Sequence, residues 1–371
     1  MEKIQLGLLF GGRSCEHEVS VTSARSILSV IDQQRYDVHL IGIDKAGHWH
    51  LGDDFDSLID GKAVLPAPSS ASTSLEHSKE VALSLYQKGN LTAVKQTAVP
   101  QLDVIFPVLH GTFGEDGTIQ GVFETADIPY VGCGVAASAL AMDKALAKQI
   151  FTAAGIPQSP CQVYTRFDWK SNQAAVLDSI EENLGSLLFV KPANLGSSVG
   201  ISKTHDRDSL IAAVDLAFEF DNKVVIESSM ENCHEVECAV LGNQDPQASV
   251  VGEIIPGAEF YDYQTKYIDD KSQTMIPAQI SEAAAEQVRA LSIRAFKAID
   301  GAGLARVDFF VNKDSGQVAL NEINTLPGFT PISMYPLLWQ KSGITYIELI
   351  DQLVDLAFER HQANAALKRS F

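Results

Sequence analysis

Short unbroken runs of hydrophobic residues mark the first third of the chain, and such runs are typical of strands buried in a parallel sheet. They cover residues 4–10, 36–43 and 104–109, and a helical pattern over 19–31 separates the first two. A strand, a helix and a second strand in this order form the unit from which parallel sheets are built. The pattern therefore predicts an N-terminal α/β domain, which we end at residue 134.

The rest of the chain mixes strands and helices in patterns that predict two further domains. A helix-rich stretch over 135–154 stops at Gly155-Ile156-Pro157, because a glycine followed by a proline commonly ends a helix. Four strands and two helices follow, at 187–191, 223–227, 236–241, 249–254, 281–299 and 346–360. A length of 371 residues exceeds what one hydrophobic core usually serves. We therefore predict an α/β fold of three domains, 1–134, 135–234 and 235–371.

Two segments fit neither a helix nor a strand. Residues 65–78 are rich in Ser, Ala and Pro, which predicts a surface loop or an insertion. Residues 260–267 read FYDYQTKY, a polar stretch with three tyrosines and no regular period. This second segment is either an ordinary surface loop with partly buried aromatic rings or a lid that closes over a site and excludes water.

The strongest chemical signal is a predicted hairpin with acidic residues on one face. Its strands alternate between polar and hydrophobic positions around a turn centred on Ser315, which places Asp308 opposite Glu322. The same alternation puts Arg306 and Asn324 on that face. Facing carboxylates repel each other unless a cation lies between them, and oxygen ligands of this kind suit magnesium. The alternative is a solvent-facing strand with incidental acids, but an arginine and an amide on the same face favour a metal site.

A second signal is the segment KPANLGSSVG, residues 191–200, between two predicted strands. It supplies a lysine, two serine hydroxyls and glycines that allow backbone N–H groups to point inward, which is what phosphate binding requires. It is not the Walker sequence, because no GK[ST] follows the second glycine. A hairpin whose glycines merely form the turn explains the same residues equally well.

The segment GGRSCEHEVS, residues 11–20, follows the first strand but lacks the GxGxxG of dinucleotide-binding folds. Two acids at this helix start would repel a pyrophosphate. Glu18 suits a favourable interaction with the helix dipole, whereas Glu16 is placed to hold the ammonium of a small substrate. His110 ends another strand, where ligands tend to bind, although a single histidine there is more often structural.

Composition narrows the function further. The net charge of −19 argues against binding nucleic acid, which requires a basic surface, but not against ATP, because a few lysines on a loop suffice locally. The five cysteines form no CxxC pair or zinc spacing and are expected to be reduced thiols. Neither a signal peptide nor a run of apolar residues long enough to span a membrane is evident, so we expect a cytoplasmic protein without a membrane partner.

Several segments, taken in order, resemble the D-alanine–D-alanine ligase family of the ATP-grasp superfamily. They are GGRSCEHEVS, HGTFGEDGTIQG, MDK, VKPANLGSSVG, FYDYQTKY, RVDFF and NEINTLPGFTPIS, and together they extend over nearly the whole chain. The resemblance implies a three-domain ATP-grasp fold with the nucleotide held between the central and C-terminal domains. It implies ATP-dependent joining of two D-alanines through an acyl phosphate, for peptidoglycan synthesis. It also implies two Mg²⁺ ions, with Mn²⁺ as an alternative, and a homodimer.

The same resemblance assigns roles to individual residues. Magnesium ligands are expected at Asp308, Glu322 and Asn324. Nucleotide-binding residues are expected at Lys144, Lys191, Ser197, Ser198, Glu227 and Glu235. Substrate-binding residues are expected at Glu16, His110, Lys266, Gly328, Ser333 and Met334, the last through its backbone. Catalytic roles fall to Glu16, Ser197, Tyr267 and Arg306. One departure is Ser228, which stands where some relatives have a lysine beside the adenine-binding acid.

Three other functions compete with this interpretation. A ligase that uses D-lactate or D-serine as its second substrate would share the fold, but the intact Lys266-Tyr267 pair favours D-alanine. A non-enzymatic nucleotide-binding regulator would not need Glu16, Arg306 and a second-substrate pocket together. A nicotinamide oxidoreductase is disfavoured by the missing GxGxxG.

Overall fold

The fold is built on three β-sheets, and each sheet consists of strands that follow one another along the chain. The computed structural model describes residues 2–52, 55, 58, 79–83, 91–93, 100–255 and 273–368. Within these residues the sheets contain six, four and five strands. Helices connect and cover these strands, which confirms the predicted α/β class. The predicted loops at 65–78 and 260–267 lie outside the described residues, so their predicted roles stay predictions.

The first sheet has the parallel core that the hydrophobic runs predict. Its strands are β1 (Ile4–Gly11), β2 (Tyr36–Ile43), β3 (Trp49–Gly52), β4 (Lys79–Leu83), β5 (Leu91–Ala93) and β6 (Val104–Val108). They lie in the order β5-β4-β3-β2-β1-β6, with β1 parallel to both β2 and β6. Helix α1 (His17–Val30) follows β1, and α2 (Thr118–Ala126) follows β6. The carboxyl ends of β1 and β6 therefore open at one edge, where ligands of such sheets bind.

The second sheet is entirely antiparallel. Its strands are β7 (Cys161–Thr165), β8 (Leu188–Pro192), β9 (Ser202–Thr204) and β10 (Lys223–Ser228), in the order β7-β10-β8-β9. Two helices precede it, α3 (Val135–Met142) and α4 (Lys144–Ala153). Three more surround it, α5 (Arg166–Ser171), α6 (Gln173–Leu184) and α7 (Arg207–Phe220).

A break at Asp143 divides the predicted helix-rich stretch into α3 and α4. The Asp143 carboxylate accepts hydrogen bonds from the backbone N–H groups of Ala145 and Leu146, which makes it the N-cap of α4. Lys144 is consequently the first residue of α4. The helix ends where predicted, because Gly155 takes the left-handed conformation with φ of 65° just beyond it.

The third sheet is also antiparallel and contains the predicted hairpin. Its strands are β11 (Cys233–Gly242), β12 (Gln247–Ile255), β13 (Gln273–Met275), β14 (Gly303–Asn312) and β15 (Val318–Asn324), in the order β13-β12-β11-β14-β15. Helix α8 (Glu282–Ala298) leads into β14, while α9 (Met334–Lys341) and α10 (Tyr346–Ala365) follow β15.

The register of β14 and β15 is as predicted at the acidic end and shifts nearer the turn. Asp308 lies opposite Glu322 and Arg306 opposite Asn324, but Phe309 lies opposite Leu320. Asn321 is therefore the extra residue of a β-bulge. Through this bulge the neighbouring side chains of Asn321 and Glu322 both line one cavity.

The C-terminal helix belongs to the core of the first sheet. Leu349 and Leu353 of α10 are fully buried in the same hydrophobic cluster as Leu6 and Leu8 of β1. The Tyr36 hydroxyl also donates a hydrogen bond of 2.7 Å to Asp351 of α10. These contacts hold the first and third sheets together, and so they fix the edge of the first sheet relative to the hairpin. None of the helices in the described part of the chain is long and apolar enough to cross a membrane.

Candidate active site

Two cavities meet where the three sheets converge. The larger, of about 340 Å³, lies between the second and third sheets, and the smaller, of about 90 Å³, lies between the edge of the first sheet and the hairpin. Ser198, Ile201 and Glu322 line both of them. A group bound at the inner end of one cavity would therefore lie beside a group bound in the other.

The acidic pair of the hairpin is compensated by basic side chains of the protein. Arg306 donates from Nε and Nη2 to the two oxygens of Asp308, at 2.8 and 2.6 Å, and its Nε lies 3.0 Å from Glu237. The Asn324 amide also donates to Asp308, at 3.1 Å. Burial opposes the charge of Arg306, but Asp308 and Glu237 outweigh it and hold the pKa of the guanidinium well above its usual value. Arg306 therefore stays charged and acts through its field, not by giving up a proton.

Glu322 faces a different cation. The Lys144 ammonium lies 3.9 Å from its carboxylate and donates a hydrogen bond of 2.7 Å to the backbone carbonyl of Leu195. The prediction that a cation must separate Asp308 from Glu322 thus needs refining, since Arg306 and Lys144 provide positive charge on the protein itself.

The oxygen atoms of Asp308, Glu322 and Asn324 nevertheless suit magnesium. Within the described residues no group of three or more His, Cys, Asp or Glu side chains comes together as a complete metal site. Magnesium seldom uses such a cage: one or two carboxylates bind it, and substrate phosphates and water complete its shell. Two carboxylates at the junction of two cavities match that requirement.

Lys191 is predicted to bind phosphate, and it lies in a buried cluster with Glu227. Its ammonium is 3.0 Å from Glu227 and 3.4 Å from the side-chain oxygen of Asn321, the bulge residue. Lys148 lies 3.3 Å from the other oxygen of Glu227. Burial disfavours both charges, but the two lysines lower the pKa of Glu227, and Glu227 and Glu322 raise the pKa of Lys191. Lys191 and Glu227 are therefore both ionised.

Sequence reasoning missed Lys148. Its signal was available, because Lys144 and Lys148 are four residues apart in α4 and so lie on one face of the helix. Helix α4 thus directs one lysine to each end of the cleft, Lys144 toward the cavity junction and Lys148 toward Glu227.

The far end of the larger cavity carries the remaining predicted nucleotide contacts. Glu235 of β11 lines it, as do Glu227 and Ser228 of β10. The Ser228 hydroxyl donates to the backbone carbonyl of Leu184 at 3.0 Å. Ser228 therefore bonds to the protein scaffold and adds no charge to this end of the cavity.

The glycine-rich segment is the loop of the β8–β9 hairpin, and its predicted role in binding phosphate stays a prediction. Ser197 and Ser198 adopt left-handed backbone conformations with φ of 55° and 57°, which non-glycine residues rarely do. The Ser197 hydroxyl donates a hydrogen bond to Glu16. The turn therefore carries its serines into the two cavities, where Ser197 joins the phosphate loop to the first helix.

Glu16 faces the smaller cavity, while Glu18 faces solvent. Glu16 is buried at the start of α1, whereas Glu18 is exposed and pairs with Lys45 at 3.0 Å. The backbone also fits closely around Glu16: a Cβ atom added to Gly111 would lie 2.5 Å from a Glu16 oxygen. The sequence distinction between the two acids is consistent with these positions.

His110 lies behind Glu16 and has structural partners. Its Nδ1 is 3.0 Å from the backbone carbonyl of Leu326 and 3.5 Å from Glu115. Burial disfavours the imidazolium, but Glu115 and Glu16 outweigh it and raise the pKa of His110. Glu115 was not among the predicted residues, although it lies in the same HGTFGEDG segment. The contact with Leu326 ties the first sheet to the loop after β15.

The predicted second-substrate pocket is only partly within the described residues. Ser333 precedes α9 and accepts a hydrogen bond of 2.9 Å from the backbone of Thr330, and a Cβ atom added to Gly328 would lie 2.8 Å from its hydroxyl. The Met334 side chain is buried, and the predicted role of its backbone amide stays a prediction. Lys266 and Tyr267 lie outside the described residues.

Comparison with known proteins gives one family for the whole chain. Residues 5–133 match the family described as D-ala D-ala ligase N-terminus, and residues 150–355 match D-ala D-ala ligase C-terminus. The chain is 50% identical over 369 residues to the D-alanine--D-alanine ligase of Acetivibrio thermocellus, covering 98% of each protein. It is 48% identical over 372 residues to D-alanine--D-alanine ligase A of Salmonella typhimurium, covering 99% of each.

Solved structures agree with this family. The D-alanine-D-alanine ligase from Coxiella burnetii is 35% identical with a TM-score of 0.82, and the match covers 98% of this chain and 97% of that one. A D-Ala:D-Ser ligase from Enterococcus faecalis is also 35% identical, with a TM-score of 0.83 and coverage of 96% and 100%. The order of the three sheets, the two joined cavities and these full-length matches lead to one conclusion: this chain belongs to the D-alanine–D-alanine ligase family.

Proposed function

We propose that this protein is an ATP- and magnesium-dependent ligase that joins two D-alanines into D-alanyl-D-alanine for peptidoglycan synthesis. The observation that carries the proposal is the junction of the two cavities at Ser198 and Glu322. The larger cavity offers lysines and acids for a nucleotide with its metal ions. The smaller cavity offers Glu16 for the ammonium of an amino acid. The carboxylate of that amino acid would then point at the junction.

The chemistry at this junction has two steps. The carboxylate of the first D-alanine attacks the γ-phosphorus of ATP, which forms an acyl phosphate and releases ADP. The unprotonated amine of the second D-alanine then attacks the acyl carbon, phosphate leaves with the electrons of the broken C–O bond, and the amine proton passes to solvent. Bound magnesium supplies a Lewis acid that neutralises charge on the phosphates.

Each residue at the junction has a definite task in these steps. Lys144 and Lys191 offset the charge of the phosphates, and Glu16 and Ser197 orient the first D-alanine. Arg306 lines the smaller cavity and, in the proposal, stabilises the oxyanion of the second step.

In the proposal, the carboxylate of the second D-alanine binds Gly328, Ser333 and the backbone of Met334. Lys266 and Tyr267 complete that pocket. Tyr267 closes the lid over the acyl phosphate, because water would hydrolyse it.

The identity of the second substrate is tested by a phosphate-release screen. We expect release with D-alanine alone to exceed release with D-alanine plus D-serine or D-lactate, because the relatives that are 50% and 48% identical are named D-alanine ligases. Faster release with D-serine, with the mixed dipeptide as the product, would instead favour the activity named for the Enterococcus protein.

Nucleotide and D-alanine are expected to bind in separate, additive steps. A non-hydrolysable ATP analogue with Mg²⁺ should raise the melting temperature, since a ligand that binds only the folded state stabilises it. D-alanine should then raise the melting temperature again, because it binds in the adjoining smaller cavity. Differential scanning fluorimetry measures both shifts, with L-alanine as the control. No shift with nucleotide at any concentration would contradict the proposed ATP site.

Glu16→Gln should raise the KM for the first D-alanine about a hundredfold, because a neutral amide replaces the carboxylate that meets a buried ammonium. Nucleotide affinity should stay unchanged. The matched control is Glu18→Gln, at the exposed acid two residues further along α1. Initial rates at saturating ATP measure the effect, and equal KM values for both variants and the parent would remove Glu16 from the substrate site.

We further propose, from the family resemblance, that the chain acts in the cytoplasm as a homodimer. Multi-angle light scattering should then give twice the chain mass of 40.2 kDa, and a mass equal to one chain would contradict it.

A further inference from the structure

Lys148 is a buried lysine for which the proposed reaction has no assigned task. It is 5% exposed, it lies on α4 one turn after Lys144, and it does not line either cavity. Its ammonium lies 3.3 Å from Glu227, yet within the described residues it completes no hydrogen bond. A buried charge of this kind is costly unless it serves a partner.

Glu227 has two cations but only one negative charge to share. Lys148 lies against its Oε1 and Lys191 against its Oε2. Of the two lysines, only Lys191 lines the larger cavity. The half-buried thiol of Cys161 faces the cluster from the neighbouring strand, where it is paired in register with Glu227. Its pKa is raised, first by burial, so the thiol is neutral and adds no charge.

We infer that Lys148 is a positioning residue that serves as the permanent counter-ion of Glu227, so that Lys191 can leave Glu227 and bind a nucleotide phosphate. With Lys148 in place, Glu227 stays compensated when Lys191 turns toward the phosphates. Without it, each departure of Lys191 would leave a buried carboxylate with no cation beside it. Nucleotide binding would then have to overcome that cost. The inference rests on the proposed nucleotide site and extends it to a residue behind the cavity wall.

The test is the substitution Lys148→Met in the full-length protein, which keeps the length of the side chain and removes its charge. We expect the dissociation constant for Mg–ADP, measured by calorimetry, to rise at least about tenfold, because one partner of a buried charge pair is gone. The KM for ATP should rise in parallel, while the KM for D-alanine stays unchanged. Lys297→Met, at an exposed lysine of α8, is the matched control and should bind like the parent protein.

A second substitution separates this role from simple packing. The loss of Mg–ADP affinity caused by Lys148→Met is therefore also measured in a Glu227→Gln background. It should be much smaller there than in the parent protein, because the carboxylate that Lys191 would abandon is already neutral. Loss of packing at Lys148 would not be repaired by a change at Glu227. Melting temperatures of all variants check that each is folded.

Three results would overturn the inference. Parental Mg–ADP affinity in Lys148→Met would show that Lys191 does not need the second lysine. An equal loss of affinity on Lys148→Met in the parent and in the Glu227→Gln background would show that Lys148 acts through packing. The parent protein tests the proposed function separately. If the parent protein binds no Mg–ADP, both the inference and the proposed function are wrong. If it binds Mg–ADP and turns over, the proposed function stands and the variants alone decide the inference.

Discussion

Glu322→Gln is expected to reduce turnover at least about a thousandfold, because the loss of this proposed magnesium ligand would remove several kcal/mol of stabilisation from the phosphoryl-transfer transition state. The free energy of unfolding of this variant should hardly change, because the Glu322 side chain is 32% exposed and its contact with Lys144 is long, at 3.9 Å. Steady-state kinetics across a magnesium titration measures the first effect, and chemical denaturation measures the second.

Asp308→Asn gives the same loss of turnover with a different effect on stability. From the sequence, removing one of two facing acids should leave the apo protein as stable or more stable. The structure reverses that expectation, because Asp308 is the bidentate partner of the buried Arg306, and its loss should cost about 2 kcal/mol of unfolding free energy. Asp314→Asn, in the exposed turn of the same hairpin, is the matched control. Near-parental turnover of either acid variant at limiting magnesium would contradict the metal assignment.

Arg306→Lys is the second large effect we expect. Lysine keeps the charge but not the planar fork that reaches Asp308 and the acyl oxygen together. Turnover should fall about a hundredfold to a thousandfold, the cost of removing one oxyanion donor. The KM for ATP should stay nearly constant, since Arg306 does not line the nucleotide cavity.

The same change at a partly exposed site is the control for Arg306→Lys. Arg289 pairs with Glu286 on the surface of α8, so Arg289→Lys should leave kinetics and stability unchanged. Rapid-quench measurement of the chemical step shows whether the loss lies in chemistry or in product release. A turnover number within threefold of the parent would remove Arg306 from the oxyanion site.

Local patterns were enough to predict the frame of this site. Alternation along the hairpin placed Asp308 opposite Glu322, and hydrophobic runs located β1, β2 and β6. The residues after β1 also distinguished Glu16 from Glu18, because Glu18 suits the helix dipole whereas Glu16 lies in the turn above a strand end. These features depend on neighbours in sequence or on a single strand pairing.

Features that depend on distant contacts could not be predicted. The Asn321 side chain at the bulge contacts Lys191 of another sheet, and Arg306, the partner of Asp308, also lies against Glu237 of β11. Lys148 was overlooked because its partner, Glu227, is far away in the chain. Helices α5, α6 and α7 lie in amphipathic stretches but were not predicted from the sequence.

The placement of α10 shows the same limit on a larger scale. Its amphipathic pattern predicted packing on a sheet, and the packing is observed. The partner sheet, however, is the first one, where Leu349 and Leu353 join Leu6 and Leu8, about 340 residues earlier in the chain. A periodic pattern shows that a face is buried but not what covers it.

The central claim is that one ATP activates the carboxylate of one D-alanine for attack by another. The direct test supplies D-alanine labelled with ¹⁸O in its carboxylate, together with ATP and Mg²⁺, and follows the products by mass spectrometry. The account predicts equal amounts of ADP and D-alanyl-D-alanine, with one ¹⁸O atom transferred to each phosphate released. ADP without dipeptide, or dipeptide with phosphate that carries no label, would contradict it.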